Sequence, residues 1–434
     1  MKGPSRPTSA AAFAEIARTV AGGESSYARL RSGDPVVVEH AEGARIVDAD
    51  GNTYLDYCGG YGVNLFGHNP RFVWEAVAES VARLGVHIAF PHRLYGTVGE
   101  LVAELVPGVE QLRFANSGTE ATQAALRLMR GATGRDVVLV FDGHYHGWAD
   151  PVAAWLDGGV VRPVSAGVPA SAVAALRVVP WNDPAALDEA IVEIGDQLAG
   201  SLCEVVAGSG GLVEPAPGYL EHLCKAVRGA GGLVAFDEVM TGFRLAAGGA
   251  QERFGVVPDV TVLGKIIGGG FALAAFGGPT EVMRVEAENR VVHGGTYTGS
   301  PVALAAAAAV LERIRDDADL YPGLEARSAR LAAGIESAFG EHGIVGHVRR
   351  VGSMLQPFLS PRSAEPPRTP AEAAARQDAT GYSPLCDALE AHGVYAHRYP
   401  LGRWFVSTAH DDAIVDETLE RVVAAVARCA MLRT

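Results

Sequence analysis

The chain is 434 residues long, 48% hydrophobic and 20% charged, with a formal net charge of −14. That length predicts two or three domains and leaves room for a sizeable buried site. The acidic balance excludes the basic stripe that nucleic acid requires. The longest apolar run, Pro301 to Leu311, falls short of the roughly 20 residues a bilayer span needs.

The first twenty residues carry basic side chains but no apolar core or cleavage site, so no secretory signal is read and a cytoplasmic location is expected. Cys58, Cys203, Cys224, Cys386 and Cys429 are scattered without a C-x-x-C pair. They predict small packed hydrophobes and neither a disulfide framework nor a zinc site.

In chain order, a helical stretch around Ala11 to Val20 precedes the strand-like runs PVVVEH and ARIVDADGNTYLDY, with Asp50-Gly51-Asn52 as a turn signal. From about Arg71 to Arg315, helical stretches alternate with the runs QLRFAN, DVVLVFDG, GSLCEVVAG, GGLVAFDE, DVTVLGK and ALAAFGG. Strand alternating with helix predicts an α/β fold with a largely parallel sheet covered on both faces. Ligands of such sheets sit at the carboxyl ends of the strands, so the chemistry is sought in the following loops. Pro301 to Leu311 reads as a buried helix. After Arg315 come a helix, a strand VRRVGSMLQPFLS, a Pro- and Ala-rich stretch from Pro361 to Pro384 that is a flexible insertion or an ordered lid, a strand RWFVSTA, and a final amphipathic helix from about Asp412.

Four loops carry chemistry. NSGTEA places Ser117, Gly118 and Thr119 at a helix start, where small residues and free N–H groups suit a phosphate; an ordinary Ser/Thr cap with Glu120 fits equally. GHYHG puts Tyr145 and His146 after the next strand, one to lie against a planar ring and the other to hydrogen-bond or move protons, although both also suit a core. His144 and His146 suggest no third metal ligand, so no metal is expected. Asp237 ends an apolar strand and needs a cation, either a protonated pyridine nitrogen or an arginine such as Arg244. Lys265 is the one charged group of a long apolar stretch, and a desolvated lysine becomes a nucleophile toward carbonyls. A dinucleotide-binding G-x-G-x-x-G does not follow an early strand, which weighs against a nicotinamide dehydrogenase.

The blocks NSGTEAT, GRDVVLVFDGHYHGWAD, FDEVMTGFR, PDVTVLGKIIGGG and GGTYTGSP, in this order, resemble class III aminotransferases, including glutamate-1-semialdehyde 2,1-aminomutases and amino-acid transaminases. The resemblance implies fold type I of the pyridoxal 5′-phosphate (PLP) enzymes. A large domain, 71–315, would carry a mostly parallel mixed sheet flanked by helices, and a smaller α+β domain would form from residues 1–70 and 316–434. It implies Lys265 as the Schiff-base lysine, Asp237 on the pyridine nitrogen, Ser117, Gly118 and Thr119 on the phosphate, and Tyr145 and Val239 against the ring. His146, Glu204 and Ser209 would complete the cofactor site. Thr296 would reach the phosphate of a neighbouring subunit in a homodimer, and Arg29, Tyr61 and Arg403 would face the substrate.

Two departures concern the substrate. Ser209 stands where the aminomutases have asparagine, and LGRWF, with Gly402 and Arg403, stands where they carry a glutamate in a segment like FEAGF. Losing an acid and gaining an arginine suggests a carboxylate ligand for Arg403, unless that side chain points to solvent. The expected activity is transfer of an amino group from an amino acid or an ω- or β-amine to a carbonyl acceptor. Intramolecular transfer as in the aminomutases, or a non-catalytic binding role, are the alternatives.

Overall fold

The computed structural model describes residues 5–26, 35–362 and 365–431. Its centre is a seven-stranded sheet with the spatial order Gln111–Ala115, Ala274–Gly278, Val260–Leu263, Leu233–Asp237, Leu198–Glu204, Val137–Phe141, Leu176–Val179. Leu198–Glu204 is buried along its whole length, as expected of a strand covered on both faces. Six strands run parallel, and Ala274–Gly278 is antiparallel to both of its neighbours. One antiparallel strand among parallel ones makes this the mostly parallel mixed sheet expected. The ten residues between Leu263 and Ala274 hold only the 3₁₀ turn Lys265–Gly268, too little chain for a helical crossover, so the strand returns alongside its predecessor.

Strands from the two ends of the chain share a second sheet, in which Val394–Tyr395 pairs parallel with Thr53–Asp56. The run VRRVGSMLQPFLS, expected as one strand, is a hairpin. His347–Val351 pairs antiparallel with Met354–Phe358, turning at Gly352, whose φ of +58° is cheap only for glycine. Trp404–Phe405 adds a short third strand from RWFVSTA.

Pro301 opens the predicted buried helix, Pro301–Asp316, at a position where its missing N–H costs nothing. The small alanine side chains let it pack closely on the helices Arg71–Leu84 and Arg93–Leu105. The C-terminal helix, Asp412–Met431, starts where its sequence predicted. Among the described residues no helix is long and apolar enough to cross a membrane.

Within the Pro- and Ala-rich stretch, the described residues 365–384 include regular structure. Thr369 caps the helix Pro370–Arg376 by accepting from the Glu372 N–H at 3.1 Å, and Glu372 accepts from the Arg368 N–H at 3.0 Å. A second helix, Ala379–Ala391, follows at once.

Candidate active site

The carboxyl ends of adjacent parallel strands bring four loops together. Ser117 caps the helix Gly118–Thr133, its hydroxyl accepting from the Glu120 N–H at 3.2 Å while Glu120 accepts from the Asn116 N–H at 2.9 Å. The cap leaves the helix start able to take an anion: the N–H groups of Gly118 and Thr119 have no intrahelical acceptor, and the helix end is electropositive. Two glycines close the cradle around Val239. A Cβ on Gly118 would lie 3.0 Å from a Val239 methyl, and one on Gly264, just before Lys265, would lie 3.1 Å away. Gly147 fits against Thr119 in the same way, with 2.4 Å between a built Cβ and Oγ1, which draws the GHYHG loop onto the cradle.

Asp237 is 3% exposed at its strand end. One carboxylate oxygen contacts His146 Nδ1 at 2.7 Å and the other accepts from the Val239 N–H at 3.0 Å. Arg244 does not serve it. That buried guanidinium donates instead to Ser353 Oγ and to the carbonyls of Val406 and Gly62, joining the central sheet to segments from both chain ends. Neighbouring Glu238 faces away and accepts from Thr241 and from the N–H groups of Ala250 and Gln251. Asp237 is therefore the acid left facing the cleft. His146 Nε2 is buried without a hydrogen-bond partner among the described residues.

Glu204 organises the cradle's far side. Its carboxylate accepts from the Tyr145 N–H at 2.8 Å and the Gly208 N–H at 3.2 Å, so it fixes the Tyr145 loop and the turn that carries Ser209. Burial raises its pKa, opposed by His146 and Arg403. Tyr145 is 46% exposed, so it is not core filler.

Lys265 follows its strand with φ +50°, a conformation that costs a non-glycine residue strain and clusters at functional sites. It makes no ion pair among the described residues. Burial lowers its pKa from 10.5 to about 8, Asp237 and Glu204 pulling it up and Arg403 and Arg244 pushing it down. The folded, cofactor-free protein thus resists the charged amine. Below pH 8 that burden is fully present, and it fades as pH rises toward 10.5, where the unfolded chain also loses the proton. Lys265→Met should stabilise the cofactor-free protein by about 2 kcal/mol at pH 7, allowing for cleft water, with the gain vanishing by pH 10.5. Urea midpoints across that range test the sign.

The chain ends supply the other wall. Tyr61, at φ +59°, meets the His397 ring edge-on with centroids 5.1 Å apart. Arg403 is 7% exposed, sits 5.9 Å from the Phe405 ring centroid, and has no carboxylate partner in an ion pair among the described residues. Its Nε is buried and unbonded. Arg403 depresses the Lys265 amine and draws down the Glu204 carboxyl, so its charge acts within this cleft and not toward solvent. Burial and Arg403 together lower the His397 pKa to about 4, leaving that ring neutral at pH 7. At Gly402 a Cβ would fall 2.3 Å from His397 Nδ1, so no acidic side chain fits at that position without moving the histidine.

Arg29 lies outside the described residues. Thr296 is exposed on the 292–299 loop, whose Gly295 approaches Asn116 beside the cradle. Sequence reasoning missed His397, Gln356, Gln377 and Pro370, which belong to the site through contacts between remote segments.

A family profile described as aminotransferase class-III matches residues 27–428. A glutamate-1-semialdehyde 2,1-aminomutase from Desulfosudis oleivorans is 39% identical over 96% of the chain and 98% of its own length. An omega-transaminase from Sphaerobacter thermophilus superposes with a TM-score of 0.91 at 31% identity, covering 98% of this chain and 99% of that one. A beta-phenylalanine aminotransferase from Variovorax paradoxus gives 0.86 at 30% identity, covering 98% and 93%. The site fits PLP: an electropositive helix end for the phosphate, glycines that let Val239 and Thr119 close up beside it, an acid with no competing arginine for the ring nitrogen, and an amine of depressed pKa. The chain belongs to the class III aminotransferases, PLP-dependent enzymes of fold type I.

Proposed function

We propose that this protein transfers an amino group between two molecules, from a carboxylate-bearing amine such as an α- or β-amino acid to a separate carbonyl acceptor. Arg403 carries the reading. A buried guanidinium without an ionic partner is costly, and a substrate carboxylate bound bidentately relieves that cost. The beta-phenylalanine aminotransferase among the similar structures is consistent with such a donor.

In this reading Ser117, Gly118 and Thr119 would hold the cofactor phosphate, and Tyr145, Val239 and Ser209 would contact the rest of it. Asp237, backed by His146, would keep the ring nitrogen protonated. Bound PLP supplies an electron sink for the substrate carbon. Lys265 would hold the cofactor and, as a free amine, would be the base that takes the proton from that carbon and returns it later in the cycle. Its lowered pKa leaves a useful share of neutral amine near pH 8.

The second reading is intramolecular transfer on glutamate 1-semialdehyde, favoured by the 39% identity to an aminomutase across nearly the whole chain. Gly402 weighs against it, since the space for an acid there is filled by His397. Initial rates measured against donor and acceptor together separate the two. Intermolecular transfer gives parallel double-reciprocal lines; turnover of glutamate 1-semialdehyde with no acceptor dependence would overturn the proposal.

The proposed assembly is a homodimer in which Thr296 reaches the neighbouring site. Phe90 and Val86 are 70% and 68% exposed, Tyr297 is 65% exposed, and the His87 and Tyr297 rings lie 5.2 Å apart, so an apolar surface joins the 86–92 and 292–299 loops. Monomers rarely leave such patches bare. Phe90→Asp is expected to halve the mass seen by sedimentation and to reduce activity with it.

A further inference from the structure

Arg403 sits directly after a turn that is fixed from several sides. The Gly402 N–H closes the turn onto the Tyr399 carbonyl at 2.6 Å. Inside it, the Pro400 carbonyl accepts from two buried amides, Gln377 Nε2 at 2.6 Å and Gln356 Nε2 at 3.0 Å. The same two amides also donate to the Pro357 carbonyl, at 3.1 and 3.0 Å. Gln377 Oε1 accepts from the Leu359 N–H at 2.8 Å, so its amide is fully engaged and cannot turn.

Gln377 follows directly on the helix Pro370–Arg376, and that strap is seated on the cofactor loops. Pro370 fills the space over Gly143 and Gly210, where a Cβ would lie 2.4 and 2.6 Å from its own Cβ. Those glycines flank Tyr145 and Ser209 in sequence. Ala373 and Leu401, the latter from the Arg403 turn, both pack on Gly211, at 2.9 and 3.3 Å from a built Cβ. Upstream, Asn182 donates to the Arg368 carbonyl at 2.8 Å and its own carbonyl accepts from Arg368 at 2.8 Å. The strap thus touches the cofactor loops at one end and the arginine turn at the other.

We propose that Gln377 is a positioning residue that sets Arg403 for the substrate carboxylate, and that the strap 368–377 thereby makes the enzyme's preference for acidic donors depend on how it seats over the cofactor loops. Gln377 touches neither substrate nor cofactor in this role. Buried amides sharing one acceptor hold it within tenths of an ångström, and a bidentate guanidinium contact loses strength when displaced by more than that. The inference rests on reading Arg403 as the carboxylate receptor.

The test is calorimetric binding of 3-phenylpropanoate, and of its primary amide, to the full chain with PLP. Neither ligand carries an amino group, so binding is read without turnover. Gln377→Leu is expected to weaken the acid at least tenfold and leave the amide unchanged, and to add nothing in an Arg403→Leu background. Gln356→Met, which removes the other donor to the same carbonyl, is expected to do the same and serves if Gln377→Leu does not fold. If Arg403→Leu fails to weaken the acid, the receptor reading itself is wrong. If Arg403→Leu weakens it and neither glutamine variant does, or if they weaken acid and amide alike, the positioning role is overturned.

Discussion

Lys265→Ala is expected to lower kcat for amino transfer at least a thousandfold with every donor, while the protein keeps its fold and still binds PLP through the phosphate cradle. Two losses combine. The covalent tether disappears, and with it the base that moves the proton on the substrate carbon, a role worth roughly two to four powers of ten on its own. The cradle of Ser117, Gly118 and Thr119, the Val239 contact and the Asp237–His146 pair do not depend on the amine, so retention of PLP on a desalting column should be weakened and not abolished. Added methylamine, a free base small enough for the vacated space, should restore part of the rate.

Arg403→Leu carries the second large effect. Acidic donors should lose about a hundredfold in kcat/KM, roughly 3 kcal/mol, the cost typical of removing one partner of a desolvated charge pair. Donors without a carboxylate, such as benzylamine, should be unaffected or improve, since a buried cation with no ion pair among the described residues has been removed. Removing Arg403 should also raise the Lys265 pKa, because the arginine depresses it now; the acidic limb of the pH–rate profile should move upward. A uniform loss across acids and simple amines would mean that Arg403 is structural.

The convergence of the strand-end loops at the candidate site was legible in the sequence because each of these residues follows its own strand. A parallel sheet brings the ends of remote strands to one edge, so Ser117, Tyr145, Asp237 and Lys265 can be found one loop at a time. The roles of Asp237 and Arg244 were left open between two pairings, and only the fold separates them. Arg244 is taken up by Ser353, Val406 and Gly62, none of which has any sequence signal pointing to it.

The wall proposed to face the substrate was far less legible. Tyr61, His397 and Arg403 converge because a parallel pairing of Val394–Tyr395 with Thr53–Asp56 ties the two chain ends together, and no local pattern predicts a pairing across more than 330 residues. Gly402 read as a missing acid in the sequence; the structure gives the physical reason, a histidine ring in the space a side chain would need. Gln356 and Gln377 looked like ordinary polar residues. Their meaning depends on burial and on a shared carbonyl, which periodicity cannot reveal. The antiparallel member of the expected mixed sheet, Ala274–Gly278, follows from the short connection after Leu263.

The most direct test of intermolecular amino transfer at Lys265 is the visible spectrum of the purified full chain with PLP, wild type beside Lys265→Ala, during addition of single donors. Alanine, glutamate, β-phenylalanine, benzylamine and glutamate 1-semialdehyde would each be added without an acceptor and then with pyruvate. The account predicts a wild-type band that depends on Lys265, is bleached stoichiometrically by an acidic donor, and returns when pyruvate is added. A band indifferent to Lys265, or one that responds only to glutamate 1-semialdehyde and turns it over without pyruvate, would contradict it.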